Sequence, residues 1–335
     1  MISVVIPVHN GAETIGECLE AIGRSDYRDY EVVVVDDAST DNTAEVAARY
    51  PCQLVRLERN VGAATAKNIG ARKARGDIIL FTDDDILLQP DTLRLVAEDF
   101  SDPRCDGVVG LLSKDLRYPD FPAQFKNLWM HYTYIRLANT SEAGQNVGVF
   151  YTSLAAIRRE AFEALGGFDE HYCGASVTED IEFGQRLMTA GYRIFVDRRL
   201  TVEHLKRYTL LGLLREDLQR ASGLMKTWLR KRLGNTGQRY YASVPWFFAL
   251  AVPLSYGILL FAFFGLLSAH KVWWALAGAC WLGALICNAP FLGALYQARG
   301  LHFLVKSCLF LPLDLLVSGM GIVLAILDFM RGKRY

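Results

Sequence analysis

Residues 31–49 have the sequence EVVVVDDASTDNTAEVAAR, in which an uninterrupted valine run is followed by two aspartates and then by a helical pattern. A continuous β-branched run of this length predicts a strand that is buried on both faces, as in a parallel sheet. Residues 43–49 place apolar side chains at helical spacing and predict the helix that follows. The order strand, acidic turn, helix indicates one unit of an α/β fold.

The same order recurs along the first 81 residues, with predicted strands at 3–6, 31–35, 53–57 and 78–81 and predicted helices at 13–22, 43–49 and 63–74. Strands that alternate with helices imply a parallel sheet with right-handed crossovers. Such sheets bind ligands beyond the carboxyl ends of their strands. Polar residues follow all four strands, so we expect them to share one crevice. They are His9 and Asn10, Asp36 and Asp37, Asn60, and Asp83 to Asp85.

The overall charge gives no reason to expect a nucleic-acid partner, because the chain has 36 Lys and Arg residues and 36 Asp and Glu residues. Its seven cysteines lack the spacing of a metal finger or a redox pair, which favours a reducing compartment. The first residues do not combine a basic region with a long apolar core, as a secretory signal does. We therefore expect the first domain to stay in the cytoplasm.

The last third of the sequence predicts a transmembrane region at 244–330. Three apolar blocks, 244–268, 272–295 and 303–327, are each long enough to cross a hydrocarbon core of about 30 Å. Lys306, Pro312 and Asp314 interrupt the third block, so part of it is predicted to be interfacial or re-entrant. A hairpin there would keep the basic C-terminus on the cytoplasmic side, as the positive-inside tendency requires.

The segment before the first apolar block is predicted to be a helix in the membrane interface followed by a basic linker, together 208–240. Its apolar residues at helical spacing lie opposite charged ones. Its basic cluster predicts contact with anionic lipid, and a solvated helix face is the alternative. The cluster contains Lys226, Arg230, Lys231, Arg232 and Arg239.

Three consecutive carboxylates, Asp83 to Asp85, end the predicted strand 78–81. They repel one another unless a cation is close. Mg²⁺ or Mn²⁺ bridging a diphosphate would supply that charge, although adjacent aspartates also occur in solvated turns. The metal prediction therefore depends on the residues around the triplet.

Those residues form six motifs whose order resembles that of the family 2 glycosyltransferases, over roughly residues 1–225. The resemblance implies a GT-A catalytic domain, which is a Rossmann-like α/β fold with a mostly parallel sheet, placed here before α-helical membrane segments. The ordered set is specific even though each motif is short. The motifs are VVIPVHN (4–10), VVDDASTD (34–41), NVG through KNIG (60–70), FTDDD (81–85), GGFDE (166–170) and TED (178–180).

The resemblance also implies roles for single residues in binding a nucleotide sugar and a divalent metal, Mn²⁺ or Mg²⁺. Asp83 and Asp85 match the DxD motif, in which the first acid holds the ribose or sugar and the second binds the metal. His204 matches a further metal ligand, with a structural histidine as the alternative. The nucleotide-sugar site is expected to comprise Pro7, Val8, Asn10, Asp37, Lys67, Asp83 and Asp84.

A catalytic base is expected in the TED motif, where relatives place the carboxylate that removes the proton from an acceptor hydroxyl. Asp180 matches that position, Glu179 is its rival, and a helix cap is the structural alternative for either. A single displacement at the anomeric carbon would invert its stereochemistry.

The sequence thus predicts a multi-pass protein of the cytoplasmic membrane. It would move one sugar from a UDP- or GDP-sugar to a hydroxyl of a lipid or lipid-linked saccharide at the cytoplasmic face. A polyprenyl phosphate acceptor, a polysaccharide synthase subunit and a non-catalytic nucleotide-binding scaffold remain alternatives. Polymerising relatives often carry Gln, two residues, Arg and Trp near the interface helix, and Gln219-Arg220 with Trp228 departs from that spacing. The sequence does not predict an oligomeric state.

Overall fold

A computed structural model of the chain describes residues 1–142, 147–172, 178–233 and 245–333. Its eight strands form one sheet in the order β3-β2-β1-β4-β7-β6-β8-β5. The strands are β1 Ile2–Val8, β2 Tyr30–Asp36, β3 Gln53–Arg56, β4 Ile78–Thr82, β5 Ile86–Leu87, β6 Gly107–Leu112, β7 Leu154–Arg158 and β8 Ile194–His204. The helices of the first 233 residues are α1 Ile15–Gly23, α2 Thr43–Ala47, α3 Ala63–Lys73, α4 Thr92–Asp99, α5 Phe121–Glu142, α6 Arg159–Ala164, α7 Glu179–Thr189 and α8 Leu210–Leu233.

The N-terminal half of the sheet is parallel, which confirms the predicted α/β class. β1 pairs in parallel with β2 and β4, and β2 pairs in parallel with β3. All seven residues of β1 are buried, and Val33 on β2 faces Val5 across the strand pair. The valine runs therefore supply a core with helices on both sides, as the sequence pattern requires.

The C-terminal half of the sheet is mixed and was not predicted. β7 runs antiparallel between β4 and β6, β8 is parallel to β6, and the two-residue β5 pairs antiparallel with the end of β8. The last pairing sets Ile86 opposite His204. This short strand positions side chains at the crevice. It places Ile86, which follows the acidic turn after β4, beside the end of β8, which is about 120 residues away in the sequence.

Three helices follow residue 245: α9 Trp246–Ser268, α10 Lys271–Cys287 and α11 Ala289–Met330. α9 and α11 are each long and apolar enough to cross a membrane, whereas α10 has only 17 residues. The predicted segment 272–295 is divided between α10 and α11, because the chain breaks at Asn288, whose side-chain amide donates to the carbonyl of Ala284.

The predicted hairpin in the third apolar block is wrong, since residues 301–330 continue as one helix through Pro312. The interruption lies earlier, at Gly300, whose φ of 76° and ψ of −173° are open to glycine alone. A proline removes one hydrogen bond from a helix without necessarily ending it. Arg334 and Tyr335 lie outside the described residues, as do Cys173 and Arg239.

Two hydrophobic cores hold the molecule together. The first fills both faces of the sheet. The second joins α5 to the C-terminal helices, where the ring centroids of Phe125 and Phe310 are 5.0 Å apart and those of Trp129 and Phe248 are 4.8 Å apart. This second core crosses the predicted boundary between a catalytic domain at 1–225 and a membrane region at 244–330.

The predicted interface helix forms as α8 and packs lengthwise against α11. Lys226, a member of the predicted lipid-binding cluster, instead forms an ion pair with Asp328 at 2.9 Å. Gly321 allows the close approach, because a Cβ at that position would lie 2.3 Å from the carbonyl oxygen of Leu218. The opposite side of α8 faces the crevice at the carboxyl ends of the strands.

Candidate active site

A cleft of about 630 Å³ lies beyond the carboxyl ends of β1, β2 and β4, with α5 and α8 on its other side. It brings together residues that are up to 213 positions apart in the sequence, from Pro7 to Arg220. Ten of the eleven predicted site residues line it. They are Pro7, Val8, Asp37, Lys67, Asp83, Asp84, Asp85, Glu179, Asp180 and His204.

Asn10 is the predicted site residue that does not line the cleft. Its side-chain oxygen accepts a hydrogen bond from the backbone N–H of Thr40 at 2.8 Å, and its own N–H donates to Ser39 Oγ at 2.9 Å. Asn10 has a φ of 55°, which asparagine tolerates better than most residues. In this structure it joins the turn after β1 to the turn after β2.

Asp37 fixes the loop that precedes α3. Its two buried carboxylate oxygens accept hydrogen bonds from the backbone N–H groups of Val61 and Gly62, at 2.7 and 2.9 Å. Charge-assisted bonds of this kind are among the stronger hydrogen bonds in proteins. The loop around Gly62 is therefore tied to the end of β2, and both contribute to the cleft wall.

The acidic triplet is electrostatically crowded, and its members differ. Burial raises the pKa of Asp83 to about 6 despite the opposing charge of Lys67. Burial, together with Asp85, raises the pKa of Asp84 to about 7, and Thr14 donates a hydrogen bond to Asp84 at 2.7 Å. Burial alone would also raise the pKa of Asp85, but His204 reverses the shift and lowers it. Asp85 is therefore the member best able to stay ionised.

Asp85 and His204 fit a divalent ion. Asp85 Oδ2 lies 3.3 Å from His204 Nε2, and two ligands about 2.1 Å from one octahedral ion are about 3 Å apart. Within the described residues, no three Asp, Glu, His or Cys side chains form a complete protein cage. Mg²⁺ commonly binds through one or two protein ligands and substrate phosphates, which suits this pair.

A buried ion pair crosses the floor of the cleft. Lys67 Nζ donates to Glu179 Oε1 at 2.9 Å and to Thr152 Oγ1 at 2.6 Å, and the two charged side chains are only 3% and 5% exposed. Glu179 Oε2 has no hydrogen-bond partner among the described residues. Lys67 belongs to α3 and Glu179 to α7, so the pair connects the two halves of the cleft.

Asp180 follows Glu179 in the first turn of α7. Its Oδ1 accepts a hydrogen bond from the N–H of Ile181 at 2.6 Å. Burial first, and the adjacent Glu179 second, raise the pKa of Asp180 to about 7. A carboxyl group with this pKa exchanges protons near neutral pH, as a general base requires.

The wall formed by α5, α8 and residues 151–153 contains residues that were not predicted. Tyr134 of α5 stacks on Tyr151, with ring centroids 4.1 Å apart and planes 8° from parallel. The sequence showed aromatic residues in this region without indicating which of them pack and which line a site. The lining residues not predicted from these segments include Met130, Tyr134, Tyr151, Thr152, Ser153, Lys206, Tyr208, Arg215, Glu216, Gln219 and Arg220.

Residues 3–166 match the family described as Glycosyl transferase family 2. The O-antigen chain rhamnosyltransferase WbaN of Salmonella anatum is 25% identical over 249 residues, covering 70% of this chain and 76% of that protein. Glycosyltransferase AglE of Haloferax volcanii is 26% identical over 259 residues, covering 75% and 81%. Glycosyltransferase GlyG of Streptococcus pneumoniae is 32% identical over 115 residues, and the match spans only 38% of its length.

A solved structure supports the fold along nearly the whole chain. The mannosyltransferase PcManGT from Pyrobaculum calidifontis, in complex with GDP-Man and Mn²⁺, superposes with a TM-score of 0.59. Its identity to this chain is 22%, and the alignment covers 96% of this chain and 86% of PcManGT. The similarity extends beyond the family match and includes the C-terminal helices.

Proposed function

Since this chain is a family 2 glycosyltransferase that depends on a nucleotide-sugar donor, we propose that it transfers one sugar to a hydroxyl of a lipid-linked acceptor at the cytoplasmic face of a membrane. One observation carries the proposal: Asp180, with a pKa near neutral, lies in the same cleft as the Asp83 to Asp85 triplet and the buried Lys67–Glu179 pair. A cleft that contains both a base and a diphosphate site is suited to direct displacement of the nucleoside diphosphate by the acceptor hydroxyl.

The donor would occupy the side built by β1, β2 and β4. Pro7 and Val8 would contact the nucleotide, with Asp37 holding the loop around Gly62 that completes the wall. Lys67 contributes positive charge next to Asp83, whose carboxylate would contact ribose or sugar. The GDP-Man in PcManGT supports a nucleoside diphosphate sugar as the donor.

Asp85 and His204 would hold Mn²⁺ or Mg²⁺, which supplies a positive charge to the departing nucleoside diphosphate. Asp84 would stabilise the site indirectly, because its hydrogen bond to Thr14 fixes the acidic turn against α1. His204 is set in place by the pairing of β5 with β8.

Asp180 would accept the proton of the acceptor hydroxyl as that oxygen attacks the anomeric carbon, which inverts the stereochemistry. Glu179 is the weaker candidate because it is charge-paired with Lys67. A phosphate acceptor is already anionic and requires no base, so the near-neutral pKa of Asp180 favours a hydroxyl.

The membrane acceptor is supported by the apolar helices. α9 exposes large apolar side chains along its length, and α11 does so beyond Gly300. A water-exposed apolar surface of this size is unfavourable, and burial in lipid removes the cost. A relative acts on O-antigen chains by name.

Turnover of a panel of nucleotide sugars by the detergent-solubilised protein tests the proposal. The panel is measured with and without Mn²⁺ or Mg²⁺, and a second arm adds extracted membrane lipid. Release of one nucleoside diphosphate that requires metal and rises with lipid is the expected result. Turnover that lipid does not stimulate would contradict the lipid-linked acceptor, and donor binding without turnover would indicate a scaffold. Products longer than one added sugar would indicate a synthase.

A further inference from the structure

A second cavity, of about 310 Å³, lies beside the active-site cleft between α5, α8, α9 and α11. Its walls are mainly apolar, and two tryptophans from different helices face into it. We call it the tryptophan groove. Its apolar walls include Phe125, Trp129, Leu224, Trp228, Phe248 and Val252.

The tryptophan groove has the size and lining of a ligand site. Its volume falls in the range of about 300–1,000 Å³ that is usual for small-molecule pockets. Ala249, which is exposed, lines the groove, and its neighbour Leu250 is 54% exposed on the outer face of α9. The groove is therefore continuous with the apolar surface that we assign to the membrane.

Arg220 connects the groove to the active site, because it lines both cavities. Its Nε has no hydrogen-bond partner among the described residues, and its Nη2 lies 3.9 Å from Glu216 Oε1, which is too far for a hydrogen bond. A largely buried guanidinium with unused donors favours an anionic ligand, especially a phosphate.

Among the charged residues of the groove, Arg220 is the one best able to hold an anion, and its neighbouring charges on α8 are Glu216 and Asp217. Lys126 is already paired with Asp217, and Asp314 of α11 is a buried acid. These carboxylates would repel a phosphate that Arg220 does not hold, so the apolar walls suit an uncharged chain. The groove thus has an apolar part for a hydrocarbon and one cationic end that opens to the catalytic cleft.

We propose that the tryptophan groove binds the hydrocarbon of a single-chain lipid phosphate whose saccharide is the acceptor, with Arg220 holding the phosphate. This inference rests on the proposed function and names its acceptor class. A single groove of this volume suits one chain better than the two chains of a glycerolipid. The saccharide beyond the phosphate would then lie in the cleft that also contains Asp180.

Photo-crosslinking tests the proposal with the full chain in phosphatidylcholine nanodiscs. The probe is farnesyl phosphate with a diazirine at the end of its chain, and labelled residues are identified by mass spectrometry. We expect labelling of groove residues on α8 and α9, with competition by unlabelled farnesyl phosphate. Farnesol, inorganic phosphate and dioleoyl phosphatidic acid are expected to compete at least about tenfold less well.

Two variants and a matched control sharpen the result. Ala249→Trp fills the groove and should lower labelling by about tenfold or more, whereas Leu250→Trp adds the same ring on the outer face and should leave it unchanged. Arg220→Gln should reduce competition by farnesyl phosphate to the level of farnesol. Unchanged labelling of Ala249→Trp, labelling spread over the outer faces of α9 and α11, or equal competition by phosphatidic acid would each overturn the proposal.

The labelling is independent of catalysis, since no donor is present. Labelling confined to the groove in a protein that turns over no nucleotide sugar would support lipid binding in the groove and contradict the proposed function. Lipid-stimulated turnover without labelling of the groove would support the proposed function and overturn lipid binding in the groove.

Discussion

The proposed donor side and the proposed acceptor side of the cleft are built in different ways. The donor side consists of turns that directly follow β1, β2 and β4, so each residue is positioned by the short unit that contains it. The acceptor side is assembled from α5, α8 and residues 151–153, which are brought together by the second core and the mixed half of the sheet. A local strand–turn–helix unit produces a recognisable sequence motif. A wall assembled from distant segments is reflected in the sequence by little more than its composition.

Asp180 is where the two sides meet, and its loss should have the largest effect. Asp180→Asn is expected to lower kcat by about 10³-fold, within the range for removal of a general base, while the KM for the donor stays within about threefold. Steady-state kinetics with the identified donor and acceptor measure both values. Near-normal transfer by the variant would contradict the assignment of the base.

A stability measurement separates the loss of a base from the loss of the fold. The pKa of Asp180 is raised to about 7 in the folded protein from an ordinary value of 3.8, so the folded state binds the extra proton between these values. Stability from this group is therefore present at low pH and is lost as pH rises through 7. Asp180→Asn removes the cost of keeping this buried carboxyl ionised at high pH. The thermal midpoint of the variant at pH 8 should therefore equal or exceed that of the wild type.

The Lys67–Glu179 pair joins the two sides mechanically. Lys67→Met leaves a buried carboxylate without its partner and should lower the free energy of unfolding by about 3–5 kcal/mol. Adding Glu179→Gln should recover part of this loss, because both charges are then gone. Denaturation of the two single variants and the double variant gives the coupling energy, and additive losses would show that the pair is not coupled.

Loss of the proposed metal ligand His204 should affect the donor side alone. His204→Ala is expected to raise the Mn²⁺ concentration needed for half-maximal activity by about 10–100-fold, while saturating Mn²⁺ restores much of kcat. A metal titration of activity at fixed donor measures the change. His131, whose Nδ1 donates to the carbonyl of Leu112 outside the cleft, provides the control, and His131→Ala should leave the titration unchanged.

Acidification should affect the acceptor side through Asp180. Because the ionised carboxylate is the base, kcat should fall by about tenfold for each pH unit below about 7 and level off above it. Single-turnover rates between pH 5 and pH 9 test this dependence, with Asp180→Asn expected to lose it. A profile that rises toward acid pH would contradict the role of Asp180.

The smallest effect is expected at Asn10, which was predicted to bind the nucleotide sugar but lies outside the cleft lining. Asn10→Gly keeps the φ of 55° accessible and should change donor KM by less than about threefold. Asp37→Asn is the contrasting change, since it weakens the two bonds that hold the 61–62 loop. A large loss of donor affinity in Asn10→Gly would restore the original prediction.

The sequence was sufficient to predict the donor side. There, each valine-rich strand, the acidic residues at its end and the start of the next helix lie within about ten residues, so a short sequence pattern identifies all three. It was insufficient for β5 and β8, whose pairing depends on two residues, Ile86 and Leu87, that have no pattern of their own. Arg220 was visible only as a departure from a motif of polymerising relatives. Its position at two cavities follows from the packing of α8 on α11, which no local sequence pattern specifies.

The second core also determines how this protein can be divided. Phe125 and Trp129 lie under aromatic residues of α9 and α11, and Arg299 of α11 donates to Gln124 and to the carbonyl of Lys114. A truncation near residue 240 would therefore strip the wall from the proposed acceptor side as well as remove the helices that we propose to lie in the membrane. A water-soluble version requires redesign of the outer faces of these helices, and exchange of the helices between relatives should carry acceptor preference with it.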